Sequence, residues 1–239
     1  VAPIPYLFLL HSFNHHNLME LESIFNLVFL AVLYLVLFAK KTKLKFIFIG
    51  LLVAISFSLK YVLGIILFAV VFVEWEKSNI RRNVGNLLIL TGSFLFFSLV
   101  LFLPIFVDKK ILSGFLRVVD YLTFYYQLVV DKSVKYVLDT IGGFFGVHFS
   151  IAFLFAGSIG VWKTLKSFQG NGTGNTSLSQ LNRRFHLFLL LSLLLLSISI
   201  ILENKYFGYH NLRLLPILAI YVGIGSVEIY NDLRRLSPW

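Results

Sequence analysis

The sequence predicts an all-α fold, a polytopic bundle of transmembrane helices, and three observations carry that prediction. Of 239 residues 58% are apolar and only 13% charged, where a soluble domain has roughly 45–50% and about 25%; the mean hydropathy is +0.86. The apolar residues gather into runs near the roughly 20 needed to cross a hydrocarbon core of about 30 Å. The charges fall between the runs and differ in sign balance between alternate gaps. Together these exclude a water-soluble globule. The absence of cysteine excludes disulfides, thiolate metal sites and a cysteine nucleophile.

Taken in order, residues 6–13 read as the end of a span that begins upstream of Val1. The chain opens on Val1, Pro3 and Pro5 with no basic segment ahead of an apolar one, so neither a natural start nor a signal peptide is read. The whole is expected to be a single transmembrane domain over 1–239, the C-terminal part of a longer chain. The first full span covers 21–38 and is followed by Lys40, Lys41, Lys43 and Lys45. The apolar block 46–73 is too long for one span and short for two, and Lys60 interrupts it; it reads as a hairpin of short helices, 46–58 and 61–73. Spans at 84–107, 144–162, 185–201 and 214–230 complete the set.

Cytoplasmic loops carry an excess of Lys and Arg. Segments 40–45, 74–83, 163–184 and 231–239 hold 13 basic residues against three acidic, whereas the opposite segments hold eight against seven. The first set is therefore expected on the cytoplasmic side, and with it the net charge of +10 is a matter of topology rather than of nucleic-acid binding. The sequons at Asn171 and Asn175 then lie in a cytoplasmic Gly/Ser/Thr/Asn-rich linker and read as chance matches. On the outer side, 108–140 has apolar residues (Phe115, Leu116, Val119, Leu122, Tyr126, Val129) recurring at spacings near three and four between charges, the pattern of amphipathic helices lying in the interface. Covering a lipid-facing site and anchoring a loop are equally open roles for it.

Ionisable groups at the membrane are costly and mark function by default. Lys60, at the hairpin tip, can reach the outer surface as a point charge for phosphate; it also serves as a mere turn marker. The outer loop before the last span holds Glu203, Lys205, Tyr209, His210 and Arg213 within eleven residues. Lys, Arg and His with a Tyr suit an anionic headgroup, because the guanidinium binds phosphate through two parallel hydrogen bonds. Glu20 and Glu22 follow His11, His15 and His16, which invites a metal reading. The H-E-x-x-H helix spacing is absent, however, and no metal ligand set is assigned; Glu22 is read instead as a carboxylate holding a polar substrate. His148 and His186, alone beside spans, read as packing residues.

In these features the chain resembles the polytopic membrane glycosyltransferases of the GT-C fold that use polyprenyl-phosphate sugars, in the manner of the protein O-mannosyltransferase and aminoarabinose-transferase families. An acidic residue opens a span that ends in a basic loop, Glu22 to Lys45. A short hairpin carries a lysine in Ile55-Ser56-Phe57-Ser58-Leu59-Lys60-Tyr61. A late outer motif, Lys205-Tyr206-Phe207-Gly208-Tyr209-His210, precedes the span that opens Leu214-Leu215-Pro216. The resemblance implies transfer of a sugar from a polyprenyl-phosphate donor to a lipid or protein acceptor at the outer face of the plasma (inner) membrane. Glu22, Lys60, Lys205, Tyr209, His210 and Arg213 would be the substrate-binding residues. The catalytic carboxylate, and any divalent cation it accompanies, would belong to an upstream loop. A transporter, which would favour inverted repeats and charges inside the membrane, and a non-catalytic membrane scaffold are the alternatives. The scaffold reading predicts that Lys60 and the 205–213 loop do not converge.

Overall fold

A computed structural model describes residues 21–75, 79–121, 124, 133–148, 150–169, 177–203 and 208–236. The histidines and Glu20 of the N-terminal stretch, Lys205, both sequons and the centre of the 108–140 segment lie outside the described residues. Among the described residues there is no strand: the chain runs α1 (Leu21–Phe38), α2 (Lys43–Leu59), a 3-10 turn (Tyr61–Ile65), α3 (Ile66–Glu74), α4 (Ile80–Val107), α5 (Lys109–Asp120), α6 (Val134–His148), α7 (Ile151–Gln169), α8 (Ser177–Glu203), a second 3-10 segment (Gly208–Leu214) and α9 (Leu215–Leu236).

α1 lies at the centre. Its buried residues Phe25, Phe29, Val32 and Val36 recur at spacings of three and four, one stripe of a helix, and Phe29 stacks on Phe188 of α8 at 5.7 Å between ring centroids. Around this stripe gather Phe46, Ile49 and Val53 of α2, Ile66 and Val70 of α3, Leu189 and Leu196 of α8, and Ile217 and Tyr221 of α9. The 46–73 block is indeed split at Lys60. Thr42 caps α2 through its hydroxyl, which accepts from the Lys45 N–H at 3.3 Å; Lys60 is extended, its N–H still bonded to Ser56 O at 3.1 Å, and Leu63 N–H closes the next turn on its carbonyl at 2.8 Å.

Two helix pairs make the broadest contacts, α2 with α4 and α7 with α9. Both approach through glycine, as helices in lipid do when close backbone packing replaces a hydrophobic driving force. A Cβ at Gly50 would sit 2.9 Å from Leu90 O on α4, and one at Gly225 would sit 1.7 Å from Ala156 O on α7.

Among the described residues three helices are long and apolar enough to cross a membrane: Ile80–Val107, Leu181–Ile201 and Asn211–Arg235. α4 is the clearest. Its 28 residues rise about 42 Å, and Leu88, Leu95, Phe96, Leu99 and Phe106 are all exposed, a face that water would not tolerate and lipid requires. The described residues form an all-helical bundle, and the length and composition of these helices suit a membrane.

One expected span is displaced. The run 144–162 is not one helix: α6 ends at His148 and α7 starts at Ile151. Ser150 starts the new helix, its hydroxyl accepting from Phe153 N–H at 3.3 Å and its carbonyl from Leu154 N–H at 3.0 Å, the usual work of a serine N-cap. In the outer segment α5 begins likewise at Asp108, whose carboxylate accepts from Lys110 N–H at 2.7 Å and Ile111 N–H at 3.4 Å. No side chain of α5 is buried; its apolar Ile111, Phe115, Leu116 and Val119 remain uncovered.

Candidate functional site

At one end of the bundle Lys60 and Arg213 meet. The extended backbone at Lys60 projects its chain toward the end of α8, where its Nζ lies 3.1 Å from Glu203 Oε1. Arg213, on the 3-10 segment that leads into α9, donates from its NH2 to Glu203 Oε2 at 2.7 Å and from NH1 to Ser199 Oγ at 2.8 Å. The Ser199 hydroxyl in turn donates to Leu196 O at 2.6 Å. Arg213 is 0% exposed and the Lys60 side chain 17%. Two cations thus share one buried carboxylate. Desolvation of each ion costs several kcal/mol, which the two hydrogen bonds of Arg213 and the Lys60–Glu203 ion pair offset in part.

Beside this group opens an apolar cavity of about 430 Å³ lined by Phe57, Tyr61, Gly64, Phe68, Phe94 and Ser199 among others. Ser199 belongs to both the cavity wall and the ion group. Gly64 lets the turn pack closely on the Phe57 side of the cavity, because a Cβ there would press on the ring at 3.0 Å. A second cavity of about 380 Å³ lies between α7 and α9, lined by Phe153, Gly157, Trp162, Leu218 and Tyr221 among others, with no charged side chain in its wall among the described residues.

Of the six residues the sequence nominates, the structure brings together Lys60 and Arg213. It ties Arg213 inward to Glu203 and Ser199, where the sequence suggests a cation directed at solvent. Tyr209 and His210 lie on the same 3-10 segment, Gly208–Leu214, and Glu22 in the first turn of α1; only their backbones are described. Lys205 lies outside the described residues. Glu203 and Ser199 are the members that sequence reasoning leaves without a role. Glu203 is visible in the sequence as part of the dense loop, but nothing there says that it lies between Lys60 and Arg213. Among the described residues no three His, Asp or Glu side chains gather as metal ligands.

The opposite end holds a second ion group. Glu74, at the end of α3, receives Lys45 Nζ at 2.8 Å, Lys41 Nζ at 3.5 Å and the Arg184 guanidinium. Lys45 and Arg184 also donate to Val36 O, at 3.1 and 2.8 Å, so they close the carbonyl end of α1, where cations are favoured. Burial holds Lys45 below the ordinary lysine pKa, with Glu74 opposing the shift and Arg184 and Lys41 adding to it. His186 is buried against Thr164 of α7, its Nδ1 3.0 Å from the hydroxyl, a packing contact between helices. Lys163 pairs with Glu228. On α8 the two ion groups are anchored by Arg184 and Glu203, about 28 Å apart at 1.5 Å per residue, close to the thickness of the hydrocarbon layer.

Comparison with family models, with curated proteins and with solved structures finds no match.

Proposed function

We propose that the chain is part of a membrane glycosyltransferase that takes a sugar from a polyprenyl-phosphate donor, with the Lys60 and Arg213 group receiving the phosphate at the extracytoplasmic face. The observation that carries this reading is the convergence of Lys60 and Arg213 on Glu203 beside an apolar cavity that shares Ser199 with them: cations stand next to a space fit for hydrocarbon, the counterparts of the two halves of a lipid phosphate. In the reaction an acceptor hydroxyl attacks the anomeric carbon and gives its proton to the carboxylate base that the upstream loop would supply, the bond from that carbon to the phosphate oxygen breaks, and the phosphate leaves with the electron pair. Positive charge fixed in advance where that negative charge accumulates lowers the barrier. Lys60 faces the leaving phosphate; Glu203 and Ser199 hold Arg213 in place behind it. Lys205, Tyr209 and His210 extend the same anion site, and Glu22 binds sugar hydroxyls or the acceptor. The basic segments 40–45, 74–83, 163–184 and the C-terminus then face the cytoplasm.

The complete burial of Arg213 favours a second reading, in which the ion group only braces the helices of a membrane scaffold. One experiment separates the two. The full protein, reconstituted in vesicles, is assayed for transfer from a polyprenyl-phosphate sugar and for retention of polyprenyl phosphate against the uncharged polyprenol. Lys60→Gln is expected to cut both transfer and phosphate-dependent retention by tenfold or more, with the fold intact by circular dichroism; Arg213→Ala and Lys205→Ala each lower transfer. Unchanged transfer and retention in Lys60→Gln would sink the phosphate role and leave the brace.

A further inference from the structure

α5 (Lys109–Asp120) buries none of its side chains in the bundle, yet its residues are sharply sorted around the helix axis. At about 100° per residue, Ile111, Leu112, Phe115, Leu116, Val118 and Val119 fall in one arc of about 160°. Lys109, Lys110, Ser113, Gly114, Arg117 and Asp120 occupy the rest, and no residue of either kind falls in the other arc. Phe115 and Val119 lie at the middle of the apolar arc, Ser113 and Arg117 near the middle of the polar one. Five of the six apolar side chains are exposed. A stripe of that width belongs against another apolar phase, and the bundle does not supply it.

The place of α5 in the chain identifies that phase. α4 is long and apolar enough to cross a membrane and ends in exposed Leu103, Phe106 and Val107. Asp108 alone separates it from α5. The Asp108 N–H still bonds to Pro104 O of α4 at 3.4 Å, while its carboxylate already caps α5 through the N–H groups of Lys110 and Ile111. With no loop between them, α5 starts at the level where the hydrocarbon around α4 stops. Its 12 residues are too few to cross that layer, which takes roughly 20. Laid along the surface instead, they cover about 18 Å, with the apolar arc inward and the basic residues toward headgroups and water, as in basic amphipathic helices that bind membranes. Lys109, beside Leu116 at the edge of the arc, is placed to extend its chain to a headgroup phosphate. A protein partner would have to bring a groove to this level; the bilayer is already there.

We propose that α5 is an interfacial helix seated along the surface of the phospholipid bilayer, with Phe115 and Val119 sunk among the acyl chains and Ser113 and Arg117 turned to water. It thereby anchors the segment between α4 and α7: α5 holds one end of it in the membrane surface, and α6 at the other end touches the Gly208–Leu214 segment that carries Arg213. Neither the proposed reaction nor the choice of leaflet enters this placement.

Spin labelling of the full protein, reconstituted in vesicles of phosphatidylcholine and phosphatidylglycerol, tests this. The chain has no cysteine, so Phe115→Cys, Val119→Cys, Ser113→Cys and Arg117→Cys each carry a single label, and Leu95→Cys on the exposed face of α4 gives the reading of a label in lipid. All five positions are exposed, so no packed side chain is displaced. Collisions are measured with oxygen, which concentrates among acyl chains, and with a nickel chelate, which stays in water. At 115 and 119 the ratio of oxygen to nickel collisions is expected to approach that at 95; at 113 and 117 nickel should dominate. Nickel dominance at 115 and 119 as well would put the whole helix in water, and shielding of those two labels from both reagents would put the apolar arc against protein. Either result would overturn the placement.

Discussion

Glu203 matters more than any residue the sequence singles out. Removing its charge takes from Lys60 and Arg213 the carboxylate they share, with 0% exposure at the guanidinium, and breaking a buried ion pair costs about 3–5 kcal/mol. Glu203→Gln is therefore expected to destabilise the bundle by that amount in denaturant unfolding of the micellar protein. Lys60→Met in the same background should return part of it, because one of the two cations has then gone. Strict additivity of the two changes in a double-mutant cycle would show that Lys60 and Glu203 do not interact. Lys60 and Arg213 were legible in the sequence because a cation at a membrane edge is expensive and so attracts suspicion. Glu203 was seen but not understood, since its meaning depends on a contact between a hairpin turn and a late loop. In the sequence Lys41, Lys45 and Arg184 signify only topology. Charge counting tells which side a lysine is on; it does not tell that Lys45 folds back under the end of α1 onto Glu74.

At the level of elements, hydropathy found most helices and misplaced their ends for identifiable reasons. It registers apolar content, and so it ran through the capped start at Ser150 and joined the end of α6 to α7. The split at Lys60 was legible because a charge broke an apolar run. The pairing of the helices was not, because close approach is set by which glycines face one another. The α7–α9 seam offers a sharp contrast. At Gly225 a Cβ would lie 1.7 Å from Ala156 O, while at Gly157 its nearest neighbour would be Val222 Cγ2 at an ordinary 3.5 Å. Gly225→Ala should force the helices apart and cost at least the 1–3 kcal/mol typical of overpacking, whereas Gly157→Ala should be close to neutral. Unfolding midpoints of the two variants in the same micelle check this, and equal midpoints would show that the seam is not so tightly closed.

For the whole molecule the decisive quantity is sidedness. From the charge difference between alternate segments we propose that the Glu203 end faces outside and the Glu74 end inside. The chain contains no cysteine, so single cysteines can be introduced without background. With Lys109→Cys and Lys166→Cys, an impermeant maleimide added to intact cells should label the first and spare the second, and the pattern should reverse in inside-out vesicles. Labelling of both from one side would remove the orientation, and with it the placement of the phosphate site at the outer leaflet.

α8 enters both ion groups, through Arg184 near its start and Glu203 at its end. It therefore acts as a ruler with a pin at either end: it cannot slide to suit a thicker or thinner bilayer without pulling at least one charged residue from its partners. Most single helices adjust to hydrophobic mismatch by tilting or shifting at a modest cost per ångström. Here that freedom is gone, and the lipid must do the adjusting.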